Sequence, residues 1–143
     1  MPLVFPTNRD ELRRWLEREG APRLPGLLGL EIVELGEGRC VMECDIDERH
    51  LAPNGYLHAA VVVALADTAA GFGCLASRPH DAVGFTTIEL KTNHVGSVVE
   101  GRITTEAMLV HSGRTTQVWD ARVTSEDTGR NLAFFRCTQL LLY

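Results

Sequence analysis

Residues 58–77 read HAAVVVALADTAAGFGCLAS, and this stretch decides the fold of the chain. It is the longest apolar run in the sequence and ends just before Pro79, so it predicts one long helix. A helix that is apolar on nearly every side has to be covered on every side, which places it in the core. Its single acidic side chain is Asp67, a carboxylate that is costly to bury without a partner. A fold that keeps such a group there is expected to use it.

The segments around this helix predict a sheet. The chain from residue 84 onward is rich in β-branched and aromatic residues, which favour strands. A short amphipathic helix over 7–18 comes first, capped by Thr7 or Asn8 and ended by Gly20. This order predicts an α+β fold, with an antiparallel sheet of about six strands against one long central helix. The predicted strands span residues 27–35, 39–46, 84–95, 100–110, 115–124 and 132–142.

Length and composition predict one globular domain over residues 1–143. Residues 1–23 would form the N-terminal helix and a linker, and residues 24–143 the core. The formal net charge of −5 argues against nucleic acid as a partner, because phosphate binding needs a basic stripe. The N-terminus lacks a basic start followed by an apolar core, so no targeting segment is expected. The apolar run is rich in Ala and Gly and carries Asp67, which argues against a membrane span.

The four cysteines and the acidic and histidine residues predict no metal site and no disulfide. None of the cysteines forms a C-x-x-C pair, so free buried thiols in a reducing cytoplasm are expected. No spacing of His, Asp and Glu resembles a set of metal ligands.

Helix geometry separates the two polar residues of the apolar run. His58 and Asp67 are nine residues apart, so they lie about 180° apart around the helix and about 13.5 Å apart along it. They cannot form one catalytic pair within a single straight helix. Asp67 would meet a helix start only if two such helices ran antiparallel across a two-fold interface. The N–H groups at that helix start could then stabilise an oxyanion. The arrangement predicts at least a homodimer. A tetramer built as a dimer of dimers is also expected, but the sequence does not separate it from a dimer.

The segment 54–68, NGYLHAAVVVALADT, resembles the signature of the hotdog-fold acyl-CoA thioesterases of the phenylacetate-degradation (PaaI) type. In that family a G-x-x-H-G-G motif precedes a helix whose acidic residue lies nine positions after the His. Gly55, His58 and Asp67 match this spacing. The later segments GFTTIELKTNHV and HSGRTTQVWDARV are similar to strands of the family. The resemblance covers about residues 24–143 and implies the hotdog fold, in which a curved sheet wraps around the central helix.

The resemblance implies hydrolysis of a small, medium or aromatic acyl-CoA, without a cofactor, at a site between two protomers. Asp67 would attack the thioester carbonyl or activate a water for that attack. A backbone N–H of Ala59 or Ala60 would polarise the thioester oxygen, and Thr68 would orient the water or the carboxylate. The catalytic candidates are Asn54, Gly55, His58, Ala59, Ala60, Asp67 and Thr68.

Contacts with CoA are expected at the turn that contains Gly113 and Arg114, because the corresponding Gly-Arg turn of the family often meets the CoA phosphates. An Arg guanidinium suits bidentate phosphate contacts, although a solvated surface arginine is the alternative. Lys91 is a second phosphate candidate, and Phe85 could shape the acyl pocket. The candidate contacts with CoA and substrate are Phe85, Lys91, Ser112, Gly113, Arg114 and Thr115.

The sequence departs from the family pattern in two features. Ala59 and Ala60 replace the Gly-Gly pair, which keeps the backbone N–H groups but makes close approach of a ligand tighter. Ala52 stands where the family often carries Asn, so Asn54 is a candidate for that role. The alternative for Asn54 is turn chemistry alone. His58 is expected to cap the helix and fix the loop rather than to act as a base.

Two rival functions fit the same pattern. A hotdog hydratase or dehydratase needs an acid–base pair, and Asp45 and His50 have a D-x4-H spacing that is similar to that of hydratases. A non-catalytic acyl-CoA-binding module would keep the fold and the ligand without turnover.

Overall fold

The computed structural model describes residues 4–143. The chain enters through two helices and a hairpin, passes a short 3-10 turn and the long central helix, and ends in four strands. The helices are α1 (Arg9–Gly20), α2 (Leu24–Leu28) and α3 (Ala59–Ser77), with the 3-10 turn at Glu48–His50. The strands are β1 (Leu30–Gly36), β2 (Arg39–Asp45), β3 (Gly84–His94), β4 (Arg102–Ser112), β5 (Thr116–Ser125) and β6 (Asn131–Leu142).

All six strands form one antiparallel sheet in the order β1-β2-β4-β5-β6-β3. The sheet curls around α3, which contacts every strand. This is the hotdog architecture that the sequence predicts. By length and composition alone α3 could cross a membrane, but it is the core helix of this domain, with ten residues buried. In the sheet, β1 and β3 are the two edge strands, and β3 follows β6 in space although it precedes β4 in the chain.

The N-terminal segment differs from the expectation. Asn8 caps α1 as expected, with its side-chain oxygen accepting the Glu11 N–H. Residues 24–28, part of which was expected to begin the first strand, form the short helix α2 instead. Pro25 fits the first turn of a helix, where its missing N–H costs nothing. Gly29, at φ +67°, adopts the left-handed conformation that ends the helix.

Two glycines allow α3 to lie close to the sheet. A Cβ atom on Gly71 would come within 2.9 Å of the Phe85 ring, and one on Gly73 within 2.6 Å of the Trp119 ring. Trp119 is fully buried, and its Nε1–H donates to Gln117 Oε1 at 2.8 Å, so the ring has little freedom to retreat. These contacts set the depth at which α3 sits in the sheet.

The substitution Gly73→Ala is therefore expected to destabilise the fold. The overpacking against Trp119 costs about 2–3 kcal/mol, which outweighs the gain of about 1 kcal/mol in helix propensity. Denaturant unfolding measures the difference, with Gly20→Ala as the matched control. A Cβ on Gly20 would make only ordinary contacts, at 3.6 Å from Pro25, so that variant should unfold like the wild type. A Gly73→Ala protein as stable as the control would contradict this account.

One side of α3 and one edge of the sheet remain open in a single chain. Along α3, Ala59 and Ala60 are exposed, and Ala64 and Thr68 are partly exposed. The outer edge of β3 pairs with no strand of the described chain. On that strand Ile88 is 57% exposed and Leu90 is 43% exposed. A single subunit thus leaves open both the helix stripe and the strand that a second copy could cover.

Candidate active site

Asp67 lies in the middle of α3 and is half-buried. Its Oδ1 atom is inaccessible to solvent and has no hydrogen-bond partner among the described residues. Burial raises the pKa of the Asp67 carboxyl above its usual value, because the charged form loses hydration. An unpartnered buried carboxylate oxygen costs free energy in this chain alone, which makes it the strongest functional signal in the structure.

The carboxylate faces the end of the sheet formed by β6 and β3. Burial and the nearby Asp67 charge together raise the pKa of the Cys137 thiol, on β6, to about 12. In the β3–β6 ladder Leu90 lies opposite Cys137. Phe85 packs over Gly71, one helical turn after Asp67. Asp67 therefore lies near β6, next to the edge strand β3, and Phe85 packs one helical turn away from it.

The start of α3 presents one free backbone donor. His58 is the N-cap residue, and its Nδ1 accepts the Ala60 N–H at 2.9 Å. The Val61 N–H donates to the His58 carbonyl at 3.0 Å. The Ala59 N–H makes no hydrogen bond within residues 4–143, and Ala59 is exposed. Of the two candidate oxyanion donors, only the one on Ala59 is unoccupied.

The loop before α3 is ordered by its own hydrogen bonds. The Tyr56 N–H donates to Asn54 Oδ1 at 3.1 Å, and the Gly55 N–H donates to the Ala52 carbonyl at 2.9 Å. Gly55 has φ +84°, a conformation that side chains other than Gly rarely adopt. Asn54 thus has the turn role that the alternative interpretation assigned to it, and its amide nitrogen remains exposed. Thr68 is partly exposed next to Asp67 in the sequence of α3.

The structure does not bring His58 and Asp67 together within one chain. Both belong to one continuous helix, so the separation of about 13.5 Å along its axis and about 180° around it applies.

The CoA candidates fall into two groups. Gly113, Arg114 and Thr115 form the turn between β4 and β5, directly after Ser112 at the end of β4, and the Gly113 N–H donates to the Thr116 carbonyl. The Leu141 N–H donates to the Thr115 carbonyl, and Leu141 pairs with Phe85. This turn therefore adjoins Phe85. Arg114 is exposed and forms no ion pair within the described chain, although its carbonyl accepts a hydrogen bond from Tyr143.

Lys91 lies apart from that turn. It is six residues beyond Phe85 along β3, which is about 20 Å. It points to the outer face of the sheet, because its partner Arg136 is exposed whereas the adjacent Cys137 is buried. There it lines a groove of about 590 Å³ together with Met108, Phe134 and other residues of β4 to β6. The sheet separates this groove from Asp67.

The cysteines are free and buried, as the sequence predicts. Burial raises the pKa of the Cys40 and Cys74 thiols to about 12 and that of Cys44 to about 11. Thiols with such pKa values are poor nucleophiles near neutral pH. Residues 4–143 contain no cluster of His, Cys, Asp and Glu that could hold a metal ion.

The burial of the His50 side chain was not predicted from the sequence. His50, expected to be a loop residue, is only 2% exposed and lies in the 3-10 turn. Its ring contacts β2 and α2, and no local pattern in the sequence signals these distant partners.

Comparison with known proteins places the chain in one family. Residues 54–132, which include the loop, α3 and β3 to β5, match the model of the thioesterase superfamily. The chain belongs to this family. The prediction of a hotdog thioester hydrolase is thereby confirmed.

Relatives of this thioesterase carry related names. The chain is 38% identical over 111 residues to a 1,4-dihydroxy-2-naphthoyl-CoA hydrolase of Listeria monocytogenes, covering 78% of this chain and 89% of the relative. It is 30% identical over 104 residues to the proofreading thioesterase EntH of Cronobacter turicensis, covering 72% and 74%. A mutant thioesterase of Pseudomonas aeruginosa has a similar structure, with a TM-score of 0.84, 26% identity and coverage of 91% and 93%. The narrower PaaI type stays a prediction.

Proposed function

We propose that this thioesterase hydrolyses acyl-CoA, with Asp67 as the nucleophile or general base. The observation that carries the proposal is the Asp67 Oδ1 atom, which is buried in an apolar helix and has no hydrogen-bond partner in the described part of the chain. A structural carboxylate would be expected to have hydrogen bonds to a strand or to its own helix. A raised carboxyl pKa is typical of a group that transfers protons or attacks a substrate.

The thioester would lie between Asp67 and the start of α3 of a second subunit. The Ala59 N–H there is free to donate to the thioester oxygen, and the positive end of the helix favours the negative charge that develops on it. In the general-base route Asp67 takes a proton from water, the water oxygen attacks the carbonyl carbon, and the CoA thiolate leaves. In the nucleophilic route an Asp67 oxygen attacks the carbonyl carbon, the C–S bond breaks and the CoA thiolate leaves, and water then cleaves the resulting anhydride.

We propose that two subunits dimerise through the outer edge of β3 and the open stripe of α3. Two chains that pair along β3 would join their sheets and bring the open stripes of α3 together. The exposed Ile88 and Leu90 would then lie in the interface. An antiparallel arrangement of the two helices would place each Asp67 near the partner's helix start. We further propose that two such dimers form a tetramer and that the enzyme acts in the cytoplasm, which suits its reduced cysteines.

The acyl group is proposed to be aromatic or of small to medium size. The Listeria relative is named for an aromatic acyl-CoA, and in this chain Phe85 packs one helical turn from Asp67. A phenyl ring can stack on an aromatic acyl group or contact a short alkyl chain. This preference would fit the PaaI type of the family.

A thiol-release screen over aryl-CoA and alkyl-CoA esters tests the proposal. We expect release of free CoA from at least one class, with the aryl esters ahead. Binding of CoA esters without any release would contradict hydrolysis and favour the acyl-CoA-binding module. The occupied Ala60 N–H, the absent Gly-Gly pair and Ala52 are the observations that favour this second function.

The hydratase alternative finds less support. The Asp45 carboxylate is bound by Arg102, which lowers its pKa, and His50 is buried with both ring nitrogens occupied. Neither residue is free to act as an acid–base pair on a bound enoyl group.

The Arg114→Ala variant is expected to weaken the binding of full-length CoA substrates. Arg114 is exposed without an ion pair among residues 4–143, so its guanidinium is available for a phosphate. Loss of one such contact should raise KM for an acyl-CoA about tenfold and leave kcat unchanged. The same acyl group on N-acetylcysteamine, which lacks the nucleotide, is the matched control. An equal rise in KM for both substrates would exclude a phosphate role.

A further inference from the structure

His50 connects three separate parts of the chain. Its Nδ1 accepts the Asp47 N–H at 2.8 Å, so the ring hydrogen is assigned to Nε2. Nε2 lies 2.6 Å from the Leu28 carbonyl at the end of α2, and 3.6 Å from Cys44 Sγ on β2. The backbone carbonyl of His50 accepts the His58 N–H at 2.9 Å. One buried residue thus links α2, β2 and the first turn of α3.

The cluster has the composition of a Cys–His–Asp triad but not its chemistry. Cys44 is fully buried, and burial raises the pKa of its thiol to about 11. The Nε2–H of His50 is directed to a backbone carbonyl, so it cannot take a proton from the thiol. The Asp47 carboxylate, 3.4 Å from Nδ1, is held by Arg49. The geometry points to a positional role for His50.

The segment that His50 anchors is the one that carries the candidate oxyanion donor. The His58 N–H is fixed by the His50 carbonyl, and the His58 side chain in turn caps α3 at Ala60. The free Ala59 N–H lies between these two fixed points. One residue before His58, the Leu57 N–H donates to the Val98 carbonyl, which also holds this end of the loop. The ring of His50 is the contact that sets the loop against α2.

We propose that His50 is a positioning residue for the hydrolytic reaction: its ring, through the Leu28 carbonyl, fixes the loop that aims the Ala59 N–H at the thioester oxygen. This inference rests on the proposed function. Oxyanion donors act through exact placement, and an error of about 1 Å can cost about 100-fold in rate. His50 therefore acts on the transition state without touching the substrate.

Substitution of His50 by Gln or by Asn separates the two hydrogen bonds of the ring, because each amide side chain can replace only one ring nitrogen. His50→Gln places an amide N–H near the position of Nε2 and can keep the Leu28 contact. His50→Asn places an acceptor near Nδ1 and keeps only the local Asp47 contact. We expect kcat for the acyl-CoA to fall about tenfold or more in His50→Asn with KM nearly unchanged, and to stay within about threefold in His50→Gln. His80→Asn, at an exposed histidine, is the matched control.

A purely structural role predicts a different pattern. In that case both variants would lose activity only in proportion to the unfolded fraction, and kcat per folded dimer would not change. That result would overturn the proposal, as would equal loss of kcat in both variants. A drop confined to kcat of folded His50→Asn, with recovery in His50→Gln, would support it.

Amide hydrogen exchange separates this inference from the proposed reaction. If the wild type hydrolyses no CoA ester, the proposed function fails, but the anchoring can still be measured. Faster exchange over residues 51–60 in His50→Asn, and wild-type exchange in His50→Gln, would support the anchoring. Wild-type exchange in both variants would overturn it.

Discussion

The Asp67→Asn variant is expected to lose thioester hydrolysis about 1,000-fold and, at neutral pH, to be more stable than the wild type. The amide cannot act as a base or a nucleophile, so the chemical step loses its main group. The buried Oδ1 atom has no partner among residues 4–143, so the amide gives up no hydrogen bond that the structure records. The amide also removes the cost of a half-buried charge.

The difference in the free energy of unfolding between the wild type and Asp67→Asn changes with pH, and the direction of this change is set by the pKa of Asp67. Burial raises the pKa of Asp67 in the folded state above its value in the unfolded chain. The folded state therefore binds the proton more tightly, and the wild type loses stability as the pH rises through these two pKa values. Urea unfolding at pH 7 should show Asp67→Asn as the more stable protein. The difference should disappear below the ordinary aspartate range, where both states are protonated.

The same shift predicts the acid limb of the pH–rate profile. Because Asp67 must be ionised to act, kcat/KM should fall on the acid side at a pH above the usual aspartate range. Glu37→Gln, at an exposed carboxylate in the turn between β1 and β2, is the control for loss of one negative charge. An Asp67→Asn protein that keeps its activity, or that is less stable at pH 7, would identify Asp67 as a structural carboxylate.

The Ile88→Glu variant is expected to prevent the proposed dimerisation along β3 and, with it, to abolish activity. Ile88 is 57% exposed in one chain and lies at a bulge of β3, between Thr87 and Glu89, where the ladder with β6 shifts register. A glutamate there costs the isolated subunit little. In a β3–β3 interface it would bury two like charges and weaken association by about 3 kcal/mol, or more than 100-fold.

Sedimentation velocity and thiol release, measured over a range of protein concentrations, test this expectation. Activity should return as the concentration rises and the dimer re-forms. Val33→Glu is the matched control, because Val33 is 46% exposed on β1, at the opposite edge of the sheet. A monomeric Ile88→Glu protein with full activity would show that the site is complete within one chain. A dimer unaffected by Ile88→Glu would place the interface elsewhere.

The central helix and most strands could be predicted from local patterns. α3 has a continuous apolar run with a stop at Pro79, and β4 to β6 have β-branched residues between clear turns. The order of strands could not be predicted, because the return of β3 to pair with β6 depends on contacts distant in sequence. α2 was missed because a five-residue helix is too short to show a period, and its Pro25 resembles a loop signal.

Only those features of the candidate site that depend on the spacing of residues along the chain could be predicted. The nine residues between His58 and Asp67 are visible in the sequence, and so is the lone charge. The capping bond from Ala60 to His58, which leaves only Ala59 as a free donor, is a matter of rotamer and loop geometry. The burial of His50 depends on Leu28, 22 residues earlier, and has no local signature.

Asp67 and the start of α3 lie on opposite sides of the helix, and this arrangement has a genetic consequence. If each site takes its acid from one subunit and its helix start from the other, a chain damaged only at Asp67 still supplies a sound helix start to its neighbour. A chain damaged only in the loop before α3 still supplies a sound carboxylate. Two alleles that are each inactive alone would then complement one another, since every mixed dimer retains one intact site out of two.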